Sequence, residues 1–499
     1  MNQKRTQFTE QILNKIDSNI LKFGSRNAFC IAEKFYTYKD LDEKINAFSA
    51  KINDLQIAQG IIGLVVNDDI ETYASILAIW KANKAYVPLH PKQPTERNLE
   101  ILSQTGSNFY IDSENSNFGE KLININSAIS KPTGLVINNI DSPDDLCYIL
   151  FTSGSTGQPK GVQINCENLV TFVNSFELAG IKLNENDKCL QAFDLTFDVS
   201  VQAFLIPLLS GACVYTIPHD KIKYTYAYIL MDDHQLTFGV FAPSLVKLLR
   251  PNFEEINIPS MRYCILTAEA SPVDLVKEWH NCIPNSKIFN FYGPTEATIY
   301  CTSYEVPLDG SEIKHTNGLL CIGRPFEGLN YLIVNEENNS VDKNVKGNLL
   351  ISGPQLTIGY WNNKEKTSEV FIEINGTNYY KTGDVVFEDN DHQIHYLGRA
   401  DQQVKIQGYR IELGEIEYHA RQLIDGKYAI ACAVKGKNDD NEIVLCLESD
   451  PIDNDAINKH LSVILPSYMI PSKYYFHDIF PLNQNGKVDR NAVKKLFNL

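Results

Sequence analysis

The residues with the clearest chemical meaning lie in the segment 148–162, which reads YILFTSGSTGQPKGV. An apolar run suited to a buried strand leads into a loop with two glycines, four hydroxyl groups and one lysine. Such a backbone can approach a ligand closely, and its N–H groups, hydroxyls and ammonium group can bind the oxygens of a polyphosphate. The spacing does not fit the Walker A pattern, and an ordinary Ser/Gly turn is the alternative. The sequence therefore predicts a phosphate site formed by Thr152, Ser153, Gly154, Ser155, Thr156, Gly157 and Lys160.

This loop also resembles the phosphate loop of the adenylate-forming superfamily, which includes acyl-CoA synthetases, luciferases and the adenylation domains of nonribosomal peptide synthetases. The segment 289–298, FNFYGPTEAT, resembles the nucleotide motif of amino-acid adenylation domains. In it, Tyr292 offers a ring on which adenine can stack, and Thr295 offers a hydroxyl for a phosphate. Glu296 offers an oxygen ligand for Mg²⁺. The alternative is a surface Gly-Pro turn beside an ordinary acidic residue.

Three more segments extend the resemblance toward the C-terminus. In YKTGD (380–384) and GRAD (398–401), Asp384 can accept both ribose hydroxyls and Arg399 can bind the ribose or a phosphate oxygen. PLNQNGKVDR (481–490) resembles the catalytic-lysine loop, with Lys487 as that lysine. A lysine near a C-terminus is otherwise a solvated surface charge.

The segment 401–417, DQQVKIQGYRIELGEIE, resembles the hinge and thiolation loop of the superfamily. Without the resemblance, the same segment predicts a hairpin that leads into an amphipathic helix. The resemblance implies that Asp401 is a hinge and that Gly408 belongs to the thiolation loop. Rotation about Asp401 is then expected to exchange the Lys487 face of a small domain for the Gly408 face.

The resemblance runs from about Phe35 to Arg490 and points to a stand-alone adenylation domain of the nonribosomal peptide synthetase or D-alanine–carrier-protein ligase type. It implies that ATP and Mg²⁺ are used to activate an amino acid as aminoacyl-AMP with release of pyrophosphate. The amino acid then passes to the phosphopantetheine thiol of a separate carrier protein. The implied catalytic residues are Lys487, Glu296 and Thr295, and further nucleotide contacts are Ala268, Glu269, Ala270, Phe291, Gly293 and Lys405.

The substrate class is predicted from Asp198, in the segment FDVSV (197–201), which matches the spacing of the superfamily's substrate-helix motif. An acidic group in an apolar pocket is costly unless a cation meets it, so Asp198 indicates a substrate with an α-amino group. Asp194 is a rival for this role, and a helix N-cap is the alternative role for Asp198. By the family's spacing, the pocket is lined by Val199, Gln202, Val240, Leu266, Ala268, Phe291, Ile299 and Tyr300, with Lys487 at the carboxylate.

This wall is mostly apolar and holds no charge for a charged side chain. Its aliphatic members, with Val199, Gln202 and Ala268, resemble the pocket of proline-activating domains. Phe291 and Tyr300 depart from that pattern and reduce the cavity. Proline is therefore the first expected substrate, and a small amino acid such as alanine or glycine is the second.

Bulk composition excludes several classes of partner. The 499-residue chain has a net charge of −16, which disfavours nucleic acid and anionic membranes as general partners. Its 11 scattered cysteines show neither a zinc-like spacing nor a disulfide framework. No apolar run reaches the ~18 residues of a membrane helix, and the N-terminus does not resemble a signal peptide. We therefore expect a cytoplasmic protein without a membrane or nucleic-acid partner.

The predicted elements form an α/β protein. Buried strands are predicted at 61–66, 85–89, 146–151 and 262–267, and helices at 72–81 and 271–280. Their alternation favours largely parallel stacked sheets. From about Leu319, short strands with Gly and Asn turns predict a small antiparallel or barrel-like subdomain. We expect an N-terminal adenylation core over 1–398 and a small mobile α+β domain over 399–499, with the carrier protein on a separate chain.

Four positions depart from the family pattern, and two rival functions remain. Cys166 replaces a usual His, Asn83 a usual Gly, His90 a usual Asp and Asn348 a usual Glu. One rival is an acyl-CoA ligase that uses coenzyme A as the thiol, against which Asp198 counts. The other is a catalytically silent nucleotide-binding homologue, against which the combination of Lys487, Glu296 and Asp384 counts.

Overall fold

The computed structural model describes residues 3–55, 57, 60–114, 118–119, 122–126, 146–153, 158–400, 403–424, 427–436, 441–481 and 488–499. The chain divides into two compact units. The first comprises Met1–Pro91, Leu102–Leu150 and Gly161–Ala400, and the second comprises Lys92–Ile101, Phe151–Lys160 and Asp401–Leu499. The roles assigned to the two predicted domains stay predictions.

The α-helices of the described ranges are α1 (Gln3–Phe8), α2 (Asn14–Phe23), α3 (Tyr38–Asp54), α4 (Ile70–Lys81), α5 (Thr95–Thr105), α6 (Cys166–Leu178), α7 (Asp198–Ser210), α8 (Lys223–His234), α9 (Pro243–Leu249), α10 (Val273–Cys282), α11 (Lys364–Val370), α12 (Leu413–Arg421), α13 (Asn454–Ser462) and α14 (Arg490–Leu496). Short π- or 3₁₀-helical turns lie at Thr9–Leu13, Arg250–Asn252, Thr295–Ala297 and Ser467–Met469. None of the helices in these ranges is long and apolar enough to cross a bilayer.

The strands of the first half are β1 (Asn27–Ile31), β2 (Lys34–Thr37), β3 (Ile61–Val65), β4 (Ala85–Leu89), β5 (Phe109–Ile111), β6 (Ile123–Asn124), β7 (Leu146–Thr152), β8 (Lys160–Asn165), β9 (Lys188–Gln191), β10 (Cys213–Thr216), β11 (Phe238–Phe241), β12 (Tyr263–Leu266), β13 (Lys287–Tyr292) and β14 (Thr302–Glu305). They are followed by β15 (His315–Thr316), β16 (Leu319–Leu320), β17 (Arg324–Pro325), β18 (Asn330–Val334), β19 (Gly347–Ser352), β20 (Phe371–Ile374), β21 (Thr377–Glu388), β22 (Ile394–Arg399), β23 (Gln403–Ile406), β24 (Tyr409–Glu412), β25 (Ala429–Lys435), β26 (Asn441–Leu447) and β27 (Lys473–Phe476).

A nine-stranded sheet, in the order β17-β14-β13-β12-β11-β9-β10-β1-β2, organises the first unit. The run from β13 to β1 is parallel, and β14, β17 and β2 add antiparallel edges. Parallel strands end at the same edge, and ligands of open α/β sheets bind beyond these carboxyl ends. The segments that follow β9, β11, β12 and β13 therefore converge there.

A six-stranded sheet, β6-β5-β3-β4-β7-β8, forms a second layer, and two helices are buried on all sides. In α4 ten residues are buried, and in α7 twelve are, which is typical of helices enclosed within a core. The ring of Trp80 on α4 lies 6.4 Å from that of Phe204 on α7. The predicted stacked α/β arrangement is confirmed.

The C-terminal part of the first unit is an antiparallel sheet in the order β18-β19-β21-β20, with β22 paired to β21. In the second unit, the hairpin β23–β24 leads into α12, and β25, β26 and β27 form a three-stranded mixed sheet. The antiparallel subdomain and the mixed α+β character of the C-terminal region were both predicted from the sequence. The hairpin-then-helix interpretation of 401–417 is also confirmed for its described residues.

Predicted helix ends differ from the observed ones for identifiable reasons. The helix expected from Thr72 begins at Ile70, because the Asp69 side chain caps it by accepting from the Thr72 N–H. The helix expected from Ser271 begins at Val273, since Pro272 occupies its N-cap. All eleven cysteines are buried free thiols, as expected for a reduced protein.

Candidate active site

The carboxyl edge of the nine-stranded sheet positions most of the predicted site residues. Asp198 follows β9, Ala268 follows β12, and the segment 293–300 follows β13. Each lies beyond the end of a parallel strand, so one edge gathers segments that are up to about a hundred residues apart in sequence. The predicted nucleotide and amino-acid residues of the first unit therefore belong to this edge and to β21 and β22.

Asp198 is the first residue of α7 and is only 8% exposed. The N-cap of α7 is Phe197, and no side chain caps the helix, so the alternative of an N-cap role for Asp198 is wrong. Burial, and then the charge of Asp198, raises the pKa of Tyr300 well above the usual tyrosine range. Burial raises the pKa of Tyr148 in the same direction, followed by the effects of Tyr86 and then of Asp198. The Asp198 charge is thus close enough to two buried tyrosine hydroxyls to disfavour their ionisation.

Asp194, the rival carboxylate, has structural partners. Its Oδ1 accepts from the N–H and the hydroxyl of Thr196, at 2.8 and 2.7 Å. Its Oδ2 lies 2.7 Å from Nε2 of His90. Burial opposes ionisation of Asp194, but the hydrogen bond and charge of His90, with the Thr196 donors, lower its pKa below the usual range. Asp194 therefore stabilises the turn before α7.

Three departures from the family pattern have local explanations. His90, in place of a usual Asp, contacts the Asp194 carboxylate through its Nε2. Asn83 has φ +59°, a left-handed conformation that suits the usual Gly and that Asn tolerates better than most residues. Cys166 is fully buried, and its Sγ accepts from Nη1 of Arg5 at 3.3 Å.

The pocket wall combines an amide with an aromatic cluster. Gln202 lies one turn after Asp198 on α7, and its Oε1 accepts from the Tyr300 hydroxyl at 3.3 Å. The Gln202 Nε2 is buried and has no hydrogen-bond partner among the described residues. The Tyr300 ring lies 5.2 Å from that of Phe291 and 6.0 Å from that of Phe172. The other predicted wall residues that are also buried are Val199, Val240, Leu266 and Ile299.

Tyr292, Asp384 and Arg399 are in direct contact. The Tyr292 hydroxyl donates to Oδ2 of Asp384, and Nη1 of Arg399 lies 3.0 Å from Oδ1. Asp384 and Arg399 pair directly across β21 and β22, and the Asp384 N–H donates to the Thr382 hydroxyl at 3.1 Å. Burial, and then the Asp384 charge, raises the pKa of Tyr292 well above its usual range. Nothing in the sequence indicates this tyrosine–carboxylate bond, which orients both groups.

The loop that follows Tyr292 has a strained and closely packed backbone. A Cβ at Gly293 would lie 2.5 Å from the Ile299 carbonyl oxygen, so only glycine fits there. Thr298 and Ile299 have φ of +56° and +72°, and such conformations of β-branched residues cost about 1–3 kcal/mol each. The loop must therefore be held by contacts from elsewhere.

Gln355 supplies these contacts, although nothing in the sequence marks it. Its buried Nε2 donates to the carbonyl oxygens of Ala297 and Tyr300 at 3.1 and 2.8 Å. Its own backbone carbonyl accepts from the Thr298 hydroxyl at 2.5 Å. Gln355 is thus a positioning residue for the loop that carries Glu296 and Tyr300.

We expect the substitution Gln355→Leu to lower the free energy of unfolding by about 2–4 kcal/mol, because it leaves two buried carbonyl groups without a donor. ATP–pyrophosphate exchange should also decrease, since the loop loses its support. Urea denaturation of the variant measures the first effect, and the exposed Gln422→Leu substitution is the control. An unfolding free energy equal to that of the control would contradict the role of Gln355.

Glu296 is fully buried and is oriented by Tyr360, whose hydroxyl donates to Oε1 at 2.7 Å. The Glu296 backbone carbonyl accepts from the Thr357 N–H at 2.8 Å. A carboxylate oxygen is a ligand that Mg²⁺ prefers, and a hydrogen bond from a neighbouring group orients such a ligand. Glu296 therefore fits a magnesium site. Thr295, which starts the 3₁₀ turn, is partly exposed beside it.

Two of the three predicted nucleotide contacts after β12 have structural features of their own. Ala268 has φ +70° and lies at the turn of the chain. Glu269 Oε2 accepts from the Ser244 N–H at 2.9 Å, in the first turn of α9. Ala270 is exposed. The nucleotide contacts predicted for these three residues stay predictions.

The remaining predicted residues belong to the second unit or lie outside the described ranges. Gly154, Ser155, Thr156, Gly157, Asp401 and Lys487 are outside the described residues. Thr152 and Lys160 flank the predicted phosphate loop, and Lys160 lies 3.4 Å from Glu412. The Ser153 hydroxyl donates to the Arg410 carbonyl at 3.0 Å and accepts from the Glu412 N–H at 2.9 Å.

Lys405 and Gly408 lie in the hairpin of the second unit. Lys405 is on β23, and Gly408 has φ +82° in the two-residue turn before β24, next to Gln407 at φ +51°. A turn with two left-handed residues favours glycine at its second position. The conformation of this turn is sufficient reason for a glycine at position 408. Its role in thiolation stays a prediction.

Comparison with known proteins places this chain in a family. Residues 16–361 match the family model described as AMP-binding enzyme. Zwittermicin A synthase ZmaJ of Bacillus cereus is 30% identical over 96% of this chain and 94% of that protein. A D-alanine–D-alanyl carrier protein ligase of Bacillus licheniformis is 29% identical over 94% of this chain and 96% of that protein.

A longer relative and a solved structure agree with these matches. Tyrocidine synthase 3 of Brevibacillus parabrevis is 32% identical over 92% of this chain, which spans only 7% of that protein. The crystal structure of the Vibrio cholerae adenylation domain AlmE with glycyl-adenosine-5′-phosphate is similar at a TM-score of 0.82, with 25% identity and 97% of each chain covered. With the family model matching well over half of its length, this chain belongs to the AMP-binding enzyme family.

Proposed function

We propose that this protein activates a small amino acid with ATP and transfers it to a carrier protein. The amino-acid carboxylate attacks the α-phosphorus of ATP, the new bond forms aminoacyl-AMP, and the bond to pyrophosphate breaks. The phosphopantetheine thiol of a separate carrier protein then takes the aminoacyl group and releases AMP. The names of the relatives that this chain matches along nearly their whole length support this proposal.

The observation that carries the proposal is the buried carboxylate of Asp198. It is 8% exposed at the head of α7 and lies near Tyr148 and Tyr300 in an otherwise apolar and aromatic wall. A buried carboxylate of this kind can pair with the α-ammonium group of an amino acid. It disfavours a fatty or aryl acid, and therefore disfavours the acyl-CoA ligase alternative.

The nucleotide is proposed to lie against Tyr292, Asp384 and Arg399. Asp384 already presents a carboxylate between a phenol and a guanidinium group, which is suited to accept the ribose hydroxyls. Glu296 would hold Mg²⁺, which supplies positive charge to the triphosphate. Lys487 is proposed to offset the repulsion between the substrate carboxylate and the α-phosphate.

The pocket is proposed to admit only a small side chain. Phe291, Phe172 and Tyr300 pack ring against ring, and the Tyr300 hydroxyl is bonded to Gln202, so the far end of the pocket is filled. Apart from Asp198, which is assigned to the α-ammonium group, the described residues of this wall offer no charge to a charged side chain. Proline remains the first candidate and alanine or glycine the second, and D-isomers belong in the same comparison.

ATP–pyrophosphate exchange with the twenty amino acids, D-alanine, and a set of fatty and aryl acids tests the proposal. We expect exchange with one or a few small amino acids and no exchange with acids that lack an amine. Exchange promoted best by a fatty or aryl acid, followed by coenzyme A thioester formation, would support the acyl-CoA ligase. ATP binding without exchange for any acid would support the silent homologue.

Enlarging the pocket should change the size of the preferred substrate. In the variant Tyr300→Ala the ring that fills the pocket is removed, so the exchange rate with leucine relative to alanine is expected to rise at least about tenfold. Tyr300→Phe is the matched control, because it keeps the ring and removes only the bond to Gln202. Equal leucine-to-alanine ratios in the two variants would show that Tyr300 does not limit size.

A further inference from the structure

Three side chains with metal-binding atoms meet at a place that the proposed function does not use. Cys30 lies on β1, Glu33 lies in the turn between β1 and β2, and His234 is the last residue of α8. The Cys30 Sγ, a Glu33 carboxylate oxygen and a His234 ring nitrogen all lie within 4.8 Å of one another. We call these residues the Cys30–Glu33–His234 cluster. None of them is among the residues assigned to the active site.

The donor types and their spacing fit a borderline divalent cation. Sulfur, imidazole nitrogen and carboxylate oxygen are the ligands that Zn²⁺ takes in proteins. The His234 Nε2 lies 3.1 Å from the Glu33 Oε2. Nitrogen and oxygen bound to one tetrahedral zinc at about 2.0–2.2 Å are separated by roughly 3.3–3.6 Å, so this pair needs to move apart by only about 0.2–0.5 Å.

The backbone of the turn fixes the position of Glu33. Ala32 and Glu33 have φ of +50° and +63°, so both residues of this two-residue hairpin turn are left-handed. Such turns normally contain Asn and Gly, and an Ala-Glu pair there is strained. The strained conformation brings the Glu33 carboxylate to His234 and to the Tyr226 hydroxyl, which donates to Oε1 at 2.9 Å.

The other two ligands are held in place by packing. The His234 ring lies 4.9 Å from the ring of Tyr215 and 5.8 Å from that of Phe35. Cys30 is 1% exposed and pairs with Phe35 across the hairpin. The Glu33 side chain is about half exposed, so an ion can approach from its side. The cluster is therefore preorganised and accessible.

We propose that Cys30, Glu33 and His234 form a binding site for Zn²⁺ or a cation of its class, with a water molecule as the fourth ligand. On binding, the S–H bond of Cys30 breaks, the proton goes to solvent, and a sulfur–metal bond forms. The ion links the β1–β2 hairpin to the end of α8. The alternative is a simple hydrogen bond or ion pair between His234 and Glu33, beside a neutral thiol.

Titration of the metal-free full-length protein with Co²⁺ tests the site, because tetrahedral cobalt bound to a thiolate has a charge-transfer band and strong visible bands. We expect these bands to saturate at one equivalent, to disappear when one equivalent of Zn²⁺ is added, and to resist excess Mg²⁺. Cys30→Ser should remove the charge-transfer band. His234→Gln, at a partly exposed helix end, should weaken cobalt binding at least about 100-fold.

Cys282→Ser is the matched control, since Cys282 is another buried free thiol but is not grouped with a histidine and a carboxylate among the described residues. It should bind cobalt as the unsubstituted protein does. Absence of a thiolate band in the unsubstituted protein, its persistence in Cys30→Ser, or its loss with Mg²⁺ would each overturn the proposal. The optical readout needs no catalytic activity, so it is independent of the proposed function.

Discussion

The substitution Asp198→Ala is expected to lower kcat/KM for the amino acid by about 100-fold to 4,000-fold and to leave ATP binding unchanged. The reason is that a buried ammonium group without its carboxylate partner costs about 3–5 kcal/mol, and each 1.4 kcal/mol is a factor of ten. Pyrophosphate exchange over a range of amino-acid concentrations measures the loss. Titration with ATP measures nucleotide binding in the same variant.

A substrate without the amine gives the sharpest control for Asp198. In the unsubstituted protein, kcat/KM for alanine should exceed kcat/KM for propionate by the same factor by which Asp198→Ala lowers kcat/KM for alanine. In the variant, the two values should be nearly equal. Asp194→Asn is the matched carboxylate control, because Asp194 pairs with His90 and Thr196 and should affect stability more than selectivity. An undiminished preference for alanine in Asp198→Ala would refute the assignment.

The substitution Lys487→Ala is expected to reduce adenylate formation by about 1,000-fold while leaving ATP binding largely in place. A positioned cation that offsets charge in the transition state typically contributes a factor of this order, and it does so only while the carboxylate attacks the phosphate. Pyrophosphate exchange measures the adenylation step. Equilibrium binding of ATP shows whether the nucleotide site persists.

Two controls separate this role from a general effect of lost charge. Lys495→Ala removes an exposed lysine on α14 and should leave exchange unchanged. Transfer of a preformed aminoacyl-AMP to the carrier protein should depend much less on Lys487, because that step does not bring a carboxylate to a phosphate. Normal exchange in Lys487→Ala would show that another group performs this task.

Motif chemistry was predictable because it depends on residue type and short spacing. The segments around Tyr292 and Asp384 were singled out by their residue types alone, and the structure brings these two residues into contact. Strand and helix patterns were equally local, so β4 was predicted to the residue and α4 to within two residues of its start. The prediction for Lys487 rests on the sequence alone.

Long-range partners could not be predicted, because the free energy of a hydrogen bond depends on positions that the chain brings together only by folding. Gln355 supports the loop after Gly293 from more than fifty residues away, and Tyr360 orients Glu296 in the same manner. Neither residue has a local pattern, since a single Gln or Tyr in a loop carries no periodicity. The structural role of Asp194 likewise depends on His90, about a hundred residues earlier.

The sequence by itself determined the α/β class and the family, and it named the residue types expected to meet the nucleotide, since periodicity and short motifs depend on neighbouring positions. Only the tertiary structure decided that Asp194 is engaged by His90 and Thr196, what holds the loop of Glu296 in its strained form, and that Cys30, Glu33 and His234 meet. These outcomes depend on burial and on contacts between distant segments, which arise when the sheets pack and not before.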